Sequence, residues 1–213
     1  MIRLHHVPES RSARVLWLLR ELGVDHELRV WPFDKALRSA EFLALNPAGR
    51  VPALEIDGRS MWETGAILEY LTERFPEAGL GRAPGHAERA DFLIWLHFAE
   101  TISQHSAALT QSHLILREDW MRSPTVMRLE AARLGKCFDA IEARLSGGWL
   151  LSDFSAADVA VGQAVAMARH FHRIGARPRM AAWWTACTAR PAFPHEGGAG
   201  GLYDRDFYEA PDA

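Results

Sequence analysis

Two short stretches carry residue types whose spacing suits the capture of a small peptide-like molecule and the stabilisation of an anion on it. The first is Asn46-Pro-Ala-Gly-Arg-Val-Pro-Ala-Leu54, running into Glu55-Ile-Asp-Gly-Arg-Ser-Met-Trp-Glu-Thr64. It reads as a loop, a strand over Ala53 to Ile56 that begins at a proline, a tight Asp57-Gly58 hairpin, a second short strand, and a polar pair opening a helix. Asp-Gly between apolar runs favours the turn whose twist matches paired strands. Pro52 has no N–H to give to a sheet ladder, so it marks a strand end or a cis turn that leaves the Val51 backbone facing outward. An extended ligand can pair there as an added strand; an ordinary X-Pro turn is the alternative. The second stretch is Pro8-Glu-Ser-Arg-Ser-Ala-Arg14, between a strand and a helix. A hydroxyl from Ser10 or Ser12, Arg11 and the positive end of a helix together favour a bound anion, unless the serines only cap the helix.

The elements that must hold these stretches alternate over the first eighty or so residues. Ile2 to His5 reads as a strand. Ser12 to Gly23 carries Val15, Leu16, Leu18, Leu19 and Leu22 at helical spacing and ends on a glycine suited to a C-cap. Leu28 to Val30 reads as a second strand, Lys35 to Leu45 as a helix, the hairpin as strands three and four, and Thr64 to Arg74 as a helix stopped by Phe75-Pro76. In this βαβαββα order a helix crosses over a parallel pair and an antiparallel hairpin follows, one compact layer architecture. Glycine and proline then mark a linker over 79–86, which sets domains at 1–78 and 87–213. Helical patterns run from Ala87 to Arg117, Pro124 to Leu145, Ala156 to His172 and Arg179 to Arg190, so the second domain is expected to be all α. Within it Ser155 and Asp158 form a capping-box-like pair, with Phe154 and Val159 placed as a hydrophobic staple. Gly197-Gly-Ala-Gly-Gly201 is expected to be mobile, and docking of Tyr203 to Tyr208 is left open.

Composition narrows the function class. The chain has 213 residues, 48% hydrophobic and 24% charged, as an ordinary soluble globular protein has. A formal net charge of −3 argues against nucleic acid as the main partner. The two cysteines, Cys137 and Cys187, make no metal or redox spacing and fit a reducing compartment. The start lacks the apolar core of a signal peptide, and no apolar run is long enough to span a membrane, so a cytoplasmic protein is expected. Ten histidines invite a metal reading, but none sits in a recognisable ligand pattern. His5 and His6 point to opposite faces of a strand, His170 and His172 do not meet on a helix, and no metal is expected. His97, His105 and His113 read as solvated or packed residues.

Val51-Pro52 with Glu63-Thr64 eleven residues on, followed by Gly65-Ala-Ile-Leu-Glu-Tyr-Leu71, resembles the glutathione-binding half of cytosolic glutathione transferases, and the resemblance covers nearly the whole chain. It is closest in kind to the bacterial, serine-type, theta- or beta-like members. It implies a thioredoxin-like N-terminal domain followed by an all-α C-terminal helical domain. Glutathione would be the co-substrate. Its thiol, with a pKa of about 8.5 when unperturbed, must become the thiolate to act as nucleophile. In the serine-using members the catalytic hydroxyl lies in this loop, four residues before an early helix position like Arg14, which points to Ser10 with Arg11 adding positive potential and Ser12 as the rival. The loop has no cysteine, so disulfide exchange is excluded there.

The same resemblance distributes the ligand's other groups. Thr64, where the family commonly has serine, would offer N–H and hydroxyl to the γ-glutamyl carboxylate at a helix start. Glu63 would take the ammonium, Val51 beside Pro52 the peptide backbone, and Arg50 either the glycyl carboxylate or solvent. The helix from Ala87 would line a homodimer interface, with Glu100 reaching the partner subunit's ligand. Phe98, Gln104 and His105 would line the acceptor site where the second domain meets Pro8 to Arg11. The expected reaction is thiolate attack on a small apolar electrophile, a detoxifying conjugation. A non-catalytic transferase-like adaptor, such as the stringent starvation protein, is the alternative from another class. A zeta-like isomerase is the third, although its Ser-Ser-Cys cluster is missing here. The run Pro194-His-Glu-Gly-Gly198 departs from the helical ending of relatives.

Overall fold

Four strands, Arg3–His6 (β1), Glu27–Val30 (β2), Ala53–Ile56 (β3) and Arg59–Met61 (β4), form one sheet in the order β2-β1-β3-β4 in the computed structural model, which describes residues 1–195 and 202–211. β1 runs parallel to β2 with Leu4 opposite Leu28, and antiparallel to β3 with Leu4 opposite Leu54. The turn between β3 and β4 has φ of 51° at Asp57 and 76° at Gly58, the left-handed pair that a two-residue hairpin needs.

The parallel pair is joined by the helix Ser12–Glu21 (α1), which packs on β1 and on Thr64–Arg74 (α3). The core here is Leu4, Val15, Leu18, Leu19, Leu54, Ile67, Leu68 and Leu71, all wholly buried. Each such side chain contributes roughly 1.5–3 kcal/mol by leaving water. A second cluster gathers Val7, Trp31, Leu37, Phe42 and Ala53, with Val51 packed against it. The helix expected over 35–45 is split into a 3₁₀ turn, Lys35–Arg38, and Ala40–Leu45 (α2). Two caps in succession cause this. Asp34 accepts from Ala36 N at 2.7 Å, and Ser39, in extended backbone, accepts from Phe42 N at 3.2 Å.

The chain packs as two units, Met1–Phe92 with Arg190–Leu202, and Leu93–Ala189 with Tyr203–Ala213. In the first, Arg190 holds the Glu21 carboxylate through two bonds of 2.6 Å, and Trp17 Nε1 donates to the same carboxylate at 2.8 Å. The division falls inside the long helix Arg89–Thr110 (α4). The periodicity that suggested a helix as far as Arg117 continues past α4 only as a wider π turn over Gln111–Ile115. Pro124–Arg144 (α5), Ala156–Ala168 (α6) and Pro178–Thr188 (α7) complete the helices. No helix among the described residues is long and apolar enough to cross a membrane. Tyr203 and Tyr208 are buried in the second unit: the Tyr203 ring stacks on His170 at 4.0 Å, and Tyr208 N donates to His170 O at 2.7 Å. The Gly197 to Gly201 run lies outside the described residues.

α6 starts on a complete capping box. Ser155 Oγ accepts from Ala157 N at 3.2 Å, while Asp158 Oδ2 accepts from Ser155 N at 3.0 Å. Asp158 Oδ1 also accepts from Leu150 N at 3.0 Å and Trp183 Nε1 at 2.8 Å, so one wholly buried carboxyl ties a loop, α6 and α7. Phe154, expected to staple the helix, has its ring edge-to-face with Trp149 at 4.9 Å. Ser155→Ala is expected to cost about 1 kcal/mol in urea unfolding. Asp158→Ala, which strands three buried donors, is expected to cost roughly 3 kcal/mol. Burial pushes the Asp158 carboxyl up from 3.8 to about 6, against the donors from Leu150, Trp183 and Ser155. Because the folded state holds this proton more tightly than the unfolded chain, the group's contribution is full below pH 3.8 and is lost as pH rises through about 6. The stability gap between the native protein and Asp158→Asn should therefore shrink between about pH 4 and 7.

Candidate functional site

Parallel pairing puts the carboxyl ends of β1 and β2 on the same edge of the sheet, the edge at which sheets of this kind bind ligands. The loop carrying Ser10 follows β1, and Trp31-Pro32-Phe33 follows β2. Trp31 N donates to His6 O at 2.8 Å, which ties the two exits together. Between them lies a cavity of about 460 Å³ lined by Val7, Pro8, Val30, Trp31, Pro32, Phe33 and Leu202, of a size that suits a small ligand.

Beside it the two serines take unequal positions. Ser12 is wholly buried and is the first residue of α1, not its cap; Arg11, half-buried and already in helical backbone, holds the cap position, and its side chain does not cap the helix. Ser12 Oγ accepts from Val7 N at 3.1 Å and lies 2.8 Å from His6 Nδ1. Ser10, 9% exposed, accepts from Ser12 N at 3.2 Å, donates to Val7 O at 2.7 Å and lies 2.7 Å from Ser12 Oγ. Of the two residues Ser10 is the less completely buried, and it stands at the N-terminal end of a helix where a negative charge is favoured.

The stretch from Asn46 to Thr64 is held by polar side chains. The Val51–Pro52 bond is cis, Pro52 is buried and Val51 half-buried. Asn46, next after α2, spans this bend: its Nδ2 donates to Arg50 O at 2.5 Å and to Pro52 O at 3.3 Å, and its Oδ1 accepts from Ala48 N at 3.0 Å. Arg50 is exposed. Glu63 is exposed and takes φ 73°, ψ 111° immediately before α3. A non-glycine residue in so sparse a region costs of order 1–3 kcal/mol and persists where its surroundings impose it, most often at functional sites. Thr64 is buried as the first residue of α3.

On the other side of β1, His5 is buried between two partners. Trp31 Nε1 donates to His5 Nδ1 at 3.0 Å, which leaves Nε2 to donate to Glu55 Oε1 at 2.8 Å. The hydrogen bond from His5, aided by Arg3, holds the Glu55 carboxyl below its ordinary value. The expected residues of the long helix belong to the second unit. There the Phe98 ring meets Trp95 at 5.6 Å, Glu100 is half-buried, Gln104 is exposed, and His105 Nδ1 lies 2.6 Å from Glu130 Oε2 on α5. Both cysteines are buried, and burial raises the Cys137 thiol. Among the described residues no three His, Cys, Asp or Glu side chains gather as a metal-binding group.

Sequence reasoning assigned no role to His6, Asn46 or Trp31 to Phe33. Trp-Pro-Phe directly after a parallel strand is the signal that could have found the last group. The roles of His6 and Asn46 depend on tertiary contacts with Ser12 and Pro52.

Residues 4–79 match the glutathione S-transferase N-terminal domain family. Over 204 residues the chain is 32% identical to glutathione S-transferase 3 of Zea mays, covering 90% of this chain and 91% of that one. The crystal structure of a glutathione transferase from Methylococcus capsulatus superposes with a TM-score of 0.76 at 29% identity, covering 91% of this chain and 95% of that chain. A sphingomonad glutathione S-transferase complexed with glutathione gives 0.75 at 27% identity, covering 90% and 94%. With the sheet order, the cis bend and the serine loop in place, and a relative matched at this identity over nearly its whole length, the chain belongs to the glutathione transferase family.

Proposed function

We propose that the protein is a glutathione transferase that activates the thiol of glutathione with the hydroxyl of Ser10 and joins the sulfur to an apolar electrophile. The observation that carries this reading is the Ser10 hydroxyl, beside the first turn of α1, in the loop after β1 and backed by Ser12. A thiol of pKa about 8.5 is mostly protonated at neutral pH. A hydroxyl donating to sulfur and the positive helix end both favour the anion. The thiol proton leaves to solvent. The sulfur lone pair then forms the carbon–sulfur bond as the acceptor's leaving group departs with its bonding electrons. Holding both reactants lowers the barrier further.

The remaining groups follow the ligand's charges. The γ-glutamyl carboxylate lies on the N–H and hydroxyl of Thr64, with its ammonium at Glu63. The cysteinyl backbone pairs with Val51 beside Pro52, whose bend Asn46 supports, and the exposed Arg50 is within the same stretch for the glycyl carboxylate. The apolar acceptor occupies the cavity at Val7, Pro8, Trp31 and Phe33. The protein works as a cytoplasmic, detoxifying homodimer in which Glu100 reaches the partner subunit's ligand.

Calorimetry with glutathione should register binding, and a chlorinated nitroarene should be turned over; absence of both overturns the reading. Ser10→Ala should lower kcat/KM by roughly 10- to 100-fold, the worth of one hydrogen bond to a charged group. Ser12→Ala should cost less activity and more stability, and the reverse order would move the thiol-activating role to Ser12. Glu63→Gln should raise the KM for glutathione by about tenfold with kcat little changed, because the ammonium lies far from the reacting sulfur.

A further inference from the structure

We propose, on the reading of the cavity at the sheet edge as the acceptor site, that His5 is a positioning residue for Trp31. By holding the indole N–H away from the cavity, it makes the protein select acceptors that lack polar substituents over those that carry them.

Of the side chains that line the cavity, Trp31 alone carries a polar group, its indole N–H. The direction of that N–H therefore decides whether an acceptor meets a side-chain donor or a carbon edge. Ring packing does not settle the direction. The Phe42 ring meets Trp31 edge-to-face at 5.0 Å, and Arg29 Cζ lies 4.4 Å over the indole while Arg29 Nη2 pairs with Glu41 Oε1 at 2.6 Å. Such contacts hold the plane of the ring. A tryptophan χ2 has broad, roughly two-fold wells, and a half-turn between them keeps the plane while exchanging the N–H for carbon.

A hydrogen bond makes the choice. Trp31 Nε1 donates to His5 Nδ1 at 3.0 Å, and because an indole can only donate, Nδ1 carries no proton. The far side of the imidazole agrees. His5 Nε2 donates to Glu55 Oε1 at 2.8 Å, an oxygen that also accepts from Arg3 Nη1 at 3.1 Å, and a carboxylate can only accept. A donor-only group on one side and an acceptor-only group on the other thus fix the tautomer, and with it the turn of the indole. His5 and Trp31 are both buried. Deprived of Nδ1, the indole N–H regains a partner by turning to the cavity that its ring lines, and the wall then offers a donor to polar acceptors.

The test compares turnover of a chlorodinitrobenzene with turnover of an analogue bearing a carboxamide, as the ratio of their kcat/KM values. In the native protein this ratio should exceed that of the uncatalysed reactions by roughly tenfold; a ratio no higher overturns the inference without recourse to any variant. His5→Phe keeps a ring beside Trp31 and Phe42 but accepts nothing. It should lower the ratio by about tenfold, with the KM for glutathione little changed. His5→Gln, whose amide can accept from the indole and donate to Glu55, should restore the ratio. Added to Trp31→Phe, which has no N–H to direct, His5→Phe should change the ratio no further. An unchanged ratio in a folded His5→Phe, or a further fall in the double variant, overturns the inference and leaves the cavity as the acceptor site. An unchanged KM for the chlorodinitrobenzene in Trp31→Ala overturns that reading of the cavity instead.

Discussion

Two parallel strands cannot be joined by a tight turn. The chain leaving β1 must cross over before it can lie beside itself again as β2, and α1 is that crossover. Much of the candidate site follows from this constraint. Both strands end at one edge, so whatever follows each of them is brought together there: the serine loop after His6, and Trp31, Pro32 and Phe33 after Val30. The crossover also has to begin beside that edge, which brings the N-terminal end of a ten-residue helix to the same place.

The loops at this edge owe their shape to polar side chains. The Ser12 hydroxyl takes up the N–H of Val7, a backbone group left without a ladder partner where β1 stops. Asn46 does the same for the carbonyls on either side of Val51, and Ser60 Oγ donates to Leu45 O at 2.8 Å, joining β4 to the end of α2. Buried backbone groups need partners, and meeting that need fixes the bend ahead of β3. Glu63 is the exception: its backbone takes a costly conformation, and its carboxylate is held out at the start of α3.

What the chain revealed in advance divides along the same line. Asp57-Gly58, the span of α3 from Thr64 to Arg74 and the Ser155 to Asp158 box are local signals, in which a few adjacent residues determine the geometry, and all three appear where they were expected. The 35–45 helix failed because periodicity outweighed two capping residues, Asp34 and Ser39, that could have been read. By sequence Ser12 reads as a possible cap because it precedes an apolar helical run. Only the arrival of β1 beneath the helix shows that its hydroxyl turns inward to His6. Trp31 was invisible for a similar reason, since its value lies in where β2 ends relative to β1.

Alternation along β1 then explains why two histidines stand side by side. Neighbouring strand residues face opposite ways, so His5 and His6 serve different structures from adjacent positions. His5 accepts from the Trp31 indole and donates to Glu55, which sets the orientation of an aromatic wall of the cavity. His6 meets Ser12 and, through it, the hydroxyl at the mouth of the loop. Neither ring is exposed, so neither meets a ligand directly. Their placement means that one four-residue strand orients both an apolar surface and a polar donor. A shift of its register by one residue would exchange the two faces and dismantle both at once.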